Sequence, residues 1–66
     1  MAKESALDTA QLSSLSTALE DLTRRVTELA DRYQGSPRED VAADLYEIER
    51  QLVGATRRLK ALLDRT

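Results

Sequence analysis

Gly35-Ser36-Pro37-Arg38-Glu39 decides the fold, because this stretch carries the stop signal of one helix and the start signal of the next. Gly35 can take the left-handed conformation that ends a helix. Ser36 is placed to accept a hydrogen bond from the Glu39 N–H, and Pro37 stands at the first helical position, where its missing N–H costs nothing. The Glu39 side chain can return a bond to the Ser36 N–H and complete a capping box. The stretch predicts two helices joined by a turn.

An unbroken heptad pattern runs outward from this turn in both directions. Apolar residues recur at alternating spacings of three and four, which is typical of the a and d positions of a coiled coil. If the helices fold back on each other, every a position meets a d position, from Tyr33 opposite Val41 to Leu12 opposite Leu62. The predicted fold is an all-α antiparallel helical hairpin, a two-helix coiled coil. Its predicted seam is Leu12, Leu15, Leu19, Leu22, Val26, Leu29, Tyr33, Val41, Leu45, Ile48, Leu52, Ala55, Leu59 and Leu62.

The first helix is predicted to begin near Thr9. Asp8 can cap the following turn, and Leu7 and Leu12 stand at the two positions of a hydrophobic staple. The predicted organisation is a frayed or disordered tail over 1–7 and a single hairpin over 8–65, with helix 1 at about 9–34, a turn at 35–36 and helix 2 at about 37–64.

Length and composition indicate that this hairpin needs another chain. A domain of 66 residues rarely builds a core worth more than about 3–5 kcal/mol. The absence of Cys and His excludes disulfides and thiolate or imidazole metal sites. We therefore expect the hairpin to dimerise into a four-helix bundle, the usual solution for such elements.

The two flanks of the seam differ in chemistry, and the flank with few charges is predicted to form the second interface. Small residues on the first helix would form a groove there, and Tyr46, Val53 and Leu63 would pack into it. The alternative is a weakly amphipathic exposed face, because some apolar residues are always exposed. The proposed oligomer or partner interface is Ser16, Thr23, Thr27, Ala30, Ala42, Tyr46, Val53 and Leu63.

Gly54 and Ala55 interrupt an otherwise strongly helical stretch. A glycine inside a helix costs about 1 kcal/mol relative to alanine. We expect the two helices to approach closely at this point; the alternatives are that the site admits a side chain from a partner or is merely tolerated.

No catalytic or cofactor-binding motif accompanies these helices. No His, Cys or glycine-rich elbow is present to activate a Ser or Thr, and inward Glu and His, which metal sites in helix bundles require, are missing from the seam. The net charge of −2, without a basic tail, disfavours binding to nucleic acid or to a membrane. Arg outnumbers Lys eight to two and Asn is absent, which is typical of GC-rich bacterial genomes.

The predicted function is that of a small, non-enzymatic, cytoplasmic interaction module without a cofactor. It would associate with itself and present a helical surface to a protein partner. The alternative is a regulatory protein that docks on a component of transcription or translation, or contacts nucleic acid, through Arg57, Arg58 and Lys60.

Overall fold

The computed structural model of this protein is a hairpin of two long helices. It describes residues 2–65, with side chains over 7–65; Met1 and Thr66 lie outside the described residues. Helix α1 spans Ala2–Tyr33 and helix α2 spans Glu39–Arg65, and the described residues contain no strand. The two helices pack against each other along a rod whose Cα atoms extend over 54 × 14 × 11 Å. The predicted all-α helical hairpin is confirmed.

Helix α1 begins at Ala2, well before the start near Thr9 that the capping pattern predicts. The helix therefore runs through residues 2–7, where the sequence predicts a tail. Alanine, lysine, glutamate and leucine in this segment are strong helix formers, so Asp8 can be passed over as a cap. Helix α2 begins at Glu39, slightly later than predicted.

The turn over residues 34–38 uses the predicted capping groups with partners displaced by one residue. Gly35 has the left-handed φ of 79° that ends α1. The Ser36 hydroxyl accepts from the Arg38 N–H at 3.1 Å and donates to the Tyr33 carbonyl at 2.6 Å. The Gly35 N–H donates to the Glu39 carboxylate at 3.2 Å. The Ser36 N–H, which the predicted capping box pairs with Glu39, instead donates to the Tyr33 carbonyl.

The helices pack through one edge of the predicted seam together with the small residues beside it. Among the described side chains, the buried ones are Ser16, Ala30, Ala42 and Thr56, and no large side chain is fully buried. We call these four residues, with the half-buried Thr23, the small-residue stripe. The predicted seam contributes nine half-buried and five exposed residues and none that is buried. The contact between the helices is therefore rotated away from the predicted seam, toward its low-charge flank.

Burial follows a register in which small residues lie opposite large ones. The buried and half-buried residues fit a pairing displaced by one residue from the predicted seam, from Tyr33 opposite Ala42 to Leu12 opposite Leu63. Short side chains let two helices approach toward the 8 Å end of the usual range of interaxial distances. Alternation of large and small residues then fills the space between them.

The close approach that the sequence predicts at Gly54 and Ala55 is not found there. Both residues are exposed, and a Cβ added to Gly54 would have nothing within 4 Å. The small residues that are buried between the helices are those of the small-residue stripe, including Thr56 directly after Ala55 and Ala30 and Ala42 near the turn.

Gly54→Ala is expected to stabilise the protein by about 1 kcal/mol, because alanine restricts the unfolded chain and meets no neighbour in the folded one. Thermal melts at one fixed protein concentration would measure the change. Gly35→Ala is the matched comparison, since a Cβ also meets nothing there but the positive φ makes alanine strained, and its melting temperature should fall. A lower melting temperature for Gly54→Ala would contradict this assignment.

Candidate interaction surface

Four large apolar side chains that the hairpin leaves in solvent lie along one stripe, whereas the exposed Leu7 and Val53 lie outside it. Leu15, Leu22 and Leu29 recur every seven residues on α1 and are 55%, 44% and 40% exposed, and Ile48 on α2 is 43% exposed. They share this surface with the exposed Ala55. We call these five residues the open face. All five belong to the predicted seam, so packing through the small-residue stripe leaves one edge of that seam uncovered.

A hollow lies at the open face near the end of the hairpin away from the turn. Its lining on α2 is Ala55, Arg58, Leu59 and Leu62, spaced i, i+3, i+4 and i+7. Four residues with this spacing form the hole that receives one side chain of a neighbouring helix in a coiled coil. Leu19 of α1 and Arg65 complete the lining, and the volume is about 390 Å³. The hollow is therefore a depression, open to solvent, whose lining on α2 has the spacing of such a hole.

The low-charge flank, predicted as the second interface, is occupied by contacts within the chain. The Thr27 hydroxyl donates to Glu49 on the other helix at 2.7 Å, and Lys60 pairs with Glu20 at 2.7 Å. Of the eight residues predicted for that interface, three are buried between the helices, four are half-buried, and Val53 is 39% exposed. The buried three are Ser16, Ala30 and Ala42, and the half-buried four are Thr23, Thr27, Tyr46 and Leu63.

Tyr46 also acts within the hairpin. Its hydroxyl donates to the Asp31 carboxylate at 2.5 Å and lies 3.1 Å from the Gln34 side-chain oxygen. The hydrogen bond to Asp31, together with burial and the nearby negative charges, raises the pKa of Tyr46 above its ordinary value. This side chain ties α2 to the end of α1 rather than projecting as a knob for a partner.

The cations of the predicted alternative site, Arg57, Arg58 and Lys60, do not converge on one surface. Arg57 and Lys60 line a groove beside Val53 on the low-charge flank. Arg58 lines the hollow of the open face. The Lys60 ammonium is already paired with Glu20. These three side chains therefore do not form the clustered patch that binds a run of phosphates.

The rest of the described surface carries isolated ion pairs. Arg24 pairs with Asp21 and Arg50 with Glu47, each along one helix, and such exposed pairs contribute about 0–1 kcal/mol. At the turn, a hydrogen bond from Arg38 lowers the pKa of the Asp40 carboxyl below its ordinary value. No group of three His, Cys, Asp or Glu side chains among the described residues could hold a metal ion. Neither described helix is long and apolar enough to cross a bilayer.

Comparisons of the chain with protein-family models, with curated proteins and with solved structures find no match.

Every residue of the open face belongs to the predicted seam, which the heptad pattern assigns to contacts within one chain. The size of the residue that directly follows each d position of the heptad distinguishes the two edges of the seam. Ser16 and Ala30 follow Leu15 and Leu29, and Ala42 follows Val41. Small residues at such regular spacing mark the edge along which two helices can come close.

Proposed function

We propose that this protein is a non-enzymatic helical interaction module that associates with itself and presents a helical surface to a protein partner. The observation that carries the proposal is the open face, where three leucines and an isoleucine are 40–55% exposed along one stripe. Exposed apolar residues are ordinary when scattered, but a contiguous stripe marks a site of protein association.

The weak core of the hairpin supports self-association. No large side chain among the described residues is fully buried, and the Cα radius of gyration is 15.5 Å, against about 11 Å for a compact domain of this length. A second layer of helices would cover the open face and the half-buried residues beside it. Each large side chain moved from water into such a core contributes about 1.5–3 kcal/mol.

Size-exclusion chromatography with light scattering tests this proposal on the unmodified chain. One chain has a mass of 7.4 kDa, and we expect twice that mass or more at micromolar concentration. The melting temperature should rise with protein concentration, because association stabilises only the folded state. A cooperative melt that does not depend on concentration, together with the mass of one chain, would contradict self-association.

A further inference from the structure

We propose that the open face is covered by the open face of a second copy, with the turns of both hairpins at the same end of a four-helix bundle. This inference rests on the proposed self-association and adds its surface and geometry. In this arrangement α1 of one copy lies antiparallel to α2 of the other. Each helix then contacts the other helix of its own chain on one side and a helix of the second copy on the other side.

The pairing of a with d positions along the chain fits this arrangement. Within one chain, the helices pack along the edge of the small-residue stripe, and the opposite edge of the predicted seam remains exposed or half-buried. The same pairing between α1 of one copy and α2 of the other is displaced by only one residue from the register inside each hairpin. Stacking the two hairpins level with each other therefore brings all seven apolar layers into contact on both sides of the bundle.

The hollow in the open face has a matching side chain in this register. Its lining residues Ala55, Leu59 and Leu62 lie at the level where α1 of the second copy presents Leu15. Leu15 is 55% exposed, the most exposed leucine of the open face. A knob and a hole that both lack a partner within the chain would thus fill each other, twice in a two-fold dimer.

The length of the rod allows a second copy to bury an interface of standard size. The side of the rod has a projected area of about 760 Å², from Cα extents of 54 × 14 Å, and standard interfaces bury roughly 800 Å² per partner. At the flank of the face, Arg32 would lie near Asp44 of the second copy, while Glu28 and Glu47, which are nearly level with each other, would lie farther from the contact. The charges next to the contact are therefore compatible with a second copy.

Stacking with the turns at opposite ends would match fewer apolar layers. Helix α1 would then pair with α1, with Leu22 opposite Leu22 of the second copy, but Tyr33 would lie opposite the polar Gln11. With the turns at the same end, Tyr33 and Val41 of opposite copies cover each other.

Electrostatic repulsion favours the stacking with the turns at opposite ends, and it acts over a longer range than apolar contact. Residues 21–53, the half nearer the turn, carry eight acidic and five basic side chains, and turns at one end bring these halves together. Exposed charges are screened over about 8 Å at physiological ionic strength. The bundle should therefore become more stable as salt is added, whereas the opposite stacking would be weakened.

Spin labels at the turn test the geometry, because the chain has no cysteine of its own. Arg38→Cys places one label beside each turn at an exposed position. With helices packed 8–10 Å apart, we expect an inter-label distance below about 30 Å by pulsed electron resonance. Val53→Glu in the same labelled chain should leave this distance unchanged.

The outcomes separate the geometry from the proposed function. A distance near the hairpin length of 54 Å, in a sample with the mass of a dimer, would overturn the proposed stacking and leave self-association standing. The mass of a single chain, with no inter-label distance, would overturn both. Loss of the short distance with Val53→Glu would place the interface on the low-charge flank instead.

Discussion

Leu22→Glu is expected to convert the assembly into single chains. Leu22 lies at the middle of the open face on α1 and is 44% exposed in the isolated hairpin. A carboxylate there would be desolvated in the bundle without a partner, which costs several kcal/mol or prevents association. Loss of a central apolar contact alone costs about 2 kcal/mol per copy. Two copies give about 4 kcal/mol, which is a thousand-fold increase in the dimer Kd.

Val53→Glu is the matched control for this variant. Val53 is 39% exposed, nearly as much as Leu22, but it lies on the low-charge flank beside Arg57 and Lys60. The added carboxylate would remain in water near two cations, so the dimer mass should be retained. Sedimentation equilibrium over a hundred-fold range of concentration measures both variants. Dissociation by Val53→Glu but not by Leu22→Glu would place the second interface where the sequence alone predicts it.

Ala30→Leu is expected to lower the stability of the hairpin by about 1–3 kcal/mol. Ala30 is 0% exposed and belongs to the small-residue stripe that is buried between the two helices. Three additional carbon atoms cannot be accommodated there unless the helices separate or the neighbouring side chains leave their preferred rotamers. Urea denaturation at a fixed protein concentration, followed by helical circular dichroism, gives the change in the free energy of unfolding.

Ala43→Leu provides the comparison, because Ala43 is exposed on α2 and faces away from α1. Leucine and alanine differ little in helix propensity, so this variant should stay within about 0.5 kcal/mol of the unmodified chain. Equal destabilisation by the two substitutions would show that length of the side chain, and not packing between the helices, sets the effect. An increase in stability with Ala30→Leu would show that the helices are not closely packed at this point.

Much of the fold follows from short-range features of the sequence. The turn was predictable because a left-handed glycine and a serine cap act on neighbouring backbone groups, and Gly35 and Ser36 do act at this place. The start of α1 was less predictable. Asp8 offers a cap, but no residue before it prevents the helix from continuing, so the helix extends to Ala2.

The candidate surface could be predicted only in part. The sequence identifies Leu15, Leu22, Leu29 and Ile48 as apolar positions of a heptad, and that identification does not depend on where the helices meet. Which of these residues remain exposed depends on how far each helix is rotated about its own axis. Successive residues of a helix lie 100° apart. A rotation of each helix by about 50° therefore turns the edge of the open face away from the contact and brings the small-residue stripe into it.

By itself, the sequence determined that the chain is two amphipathic helices joined at residues 34–38, because capping and heptad spacing are properties of each helix alone. Only the tertiary structure decided which edge of the apolar stripe closes the hairpin. That choice depends on the fit between two surfaces: Ala30 and Ala42 allow a close approach, whereas the leucines of the open face would hold the helices farther apart. The closer packing gains contacts within the chain and leaves Leu15, Leu22, Leu29 and Ile48 on the surface.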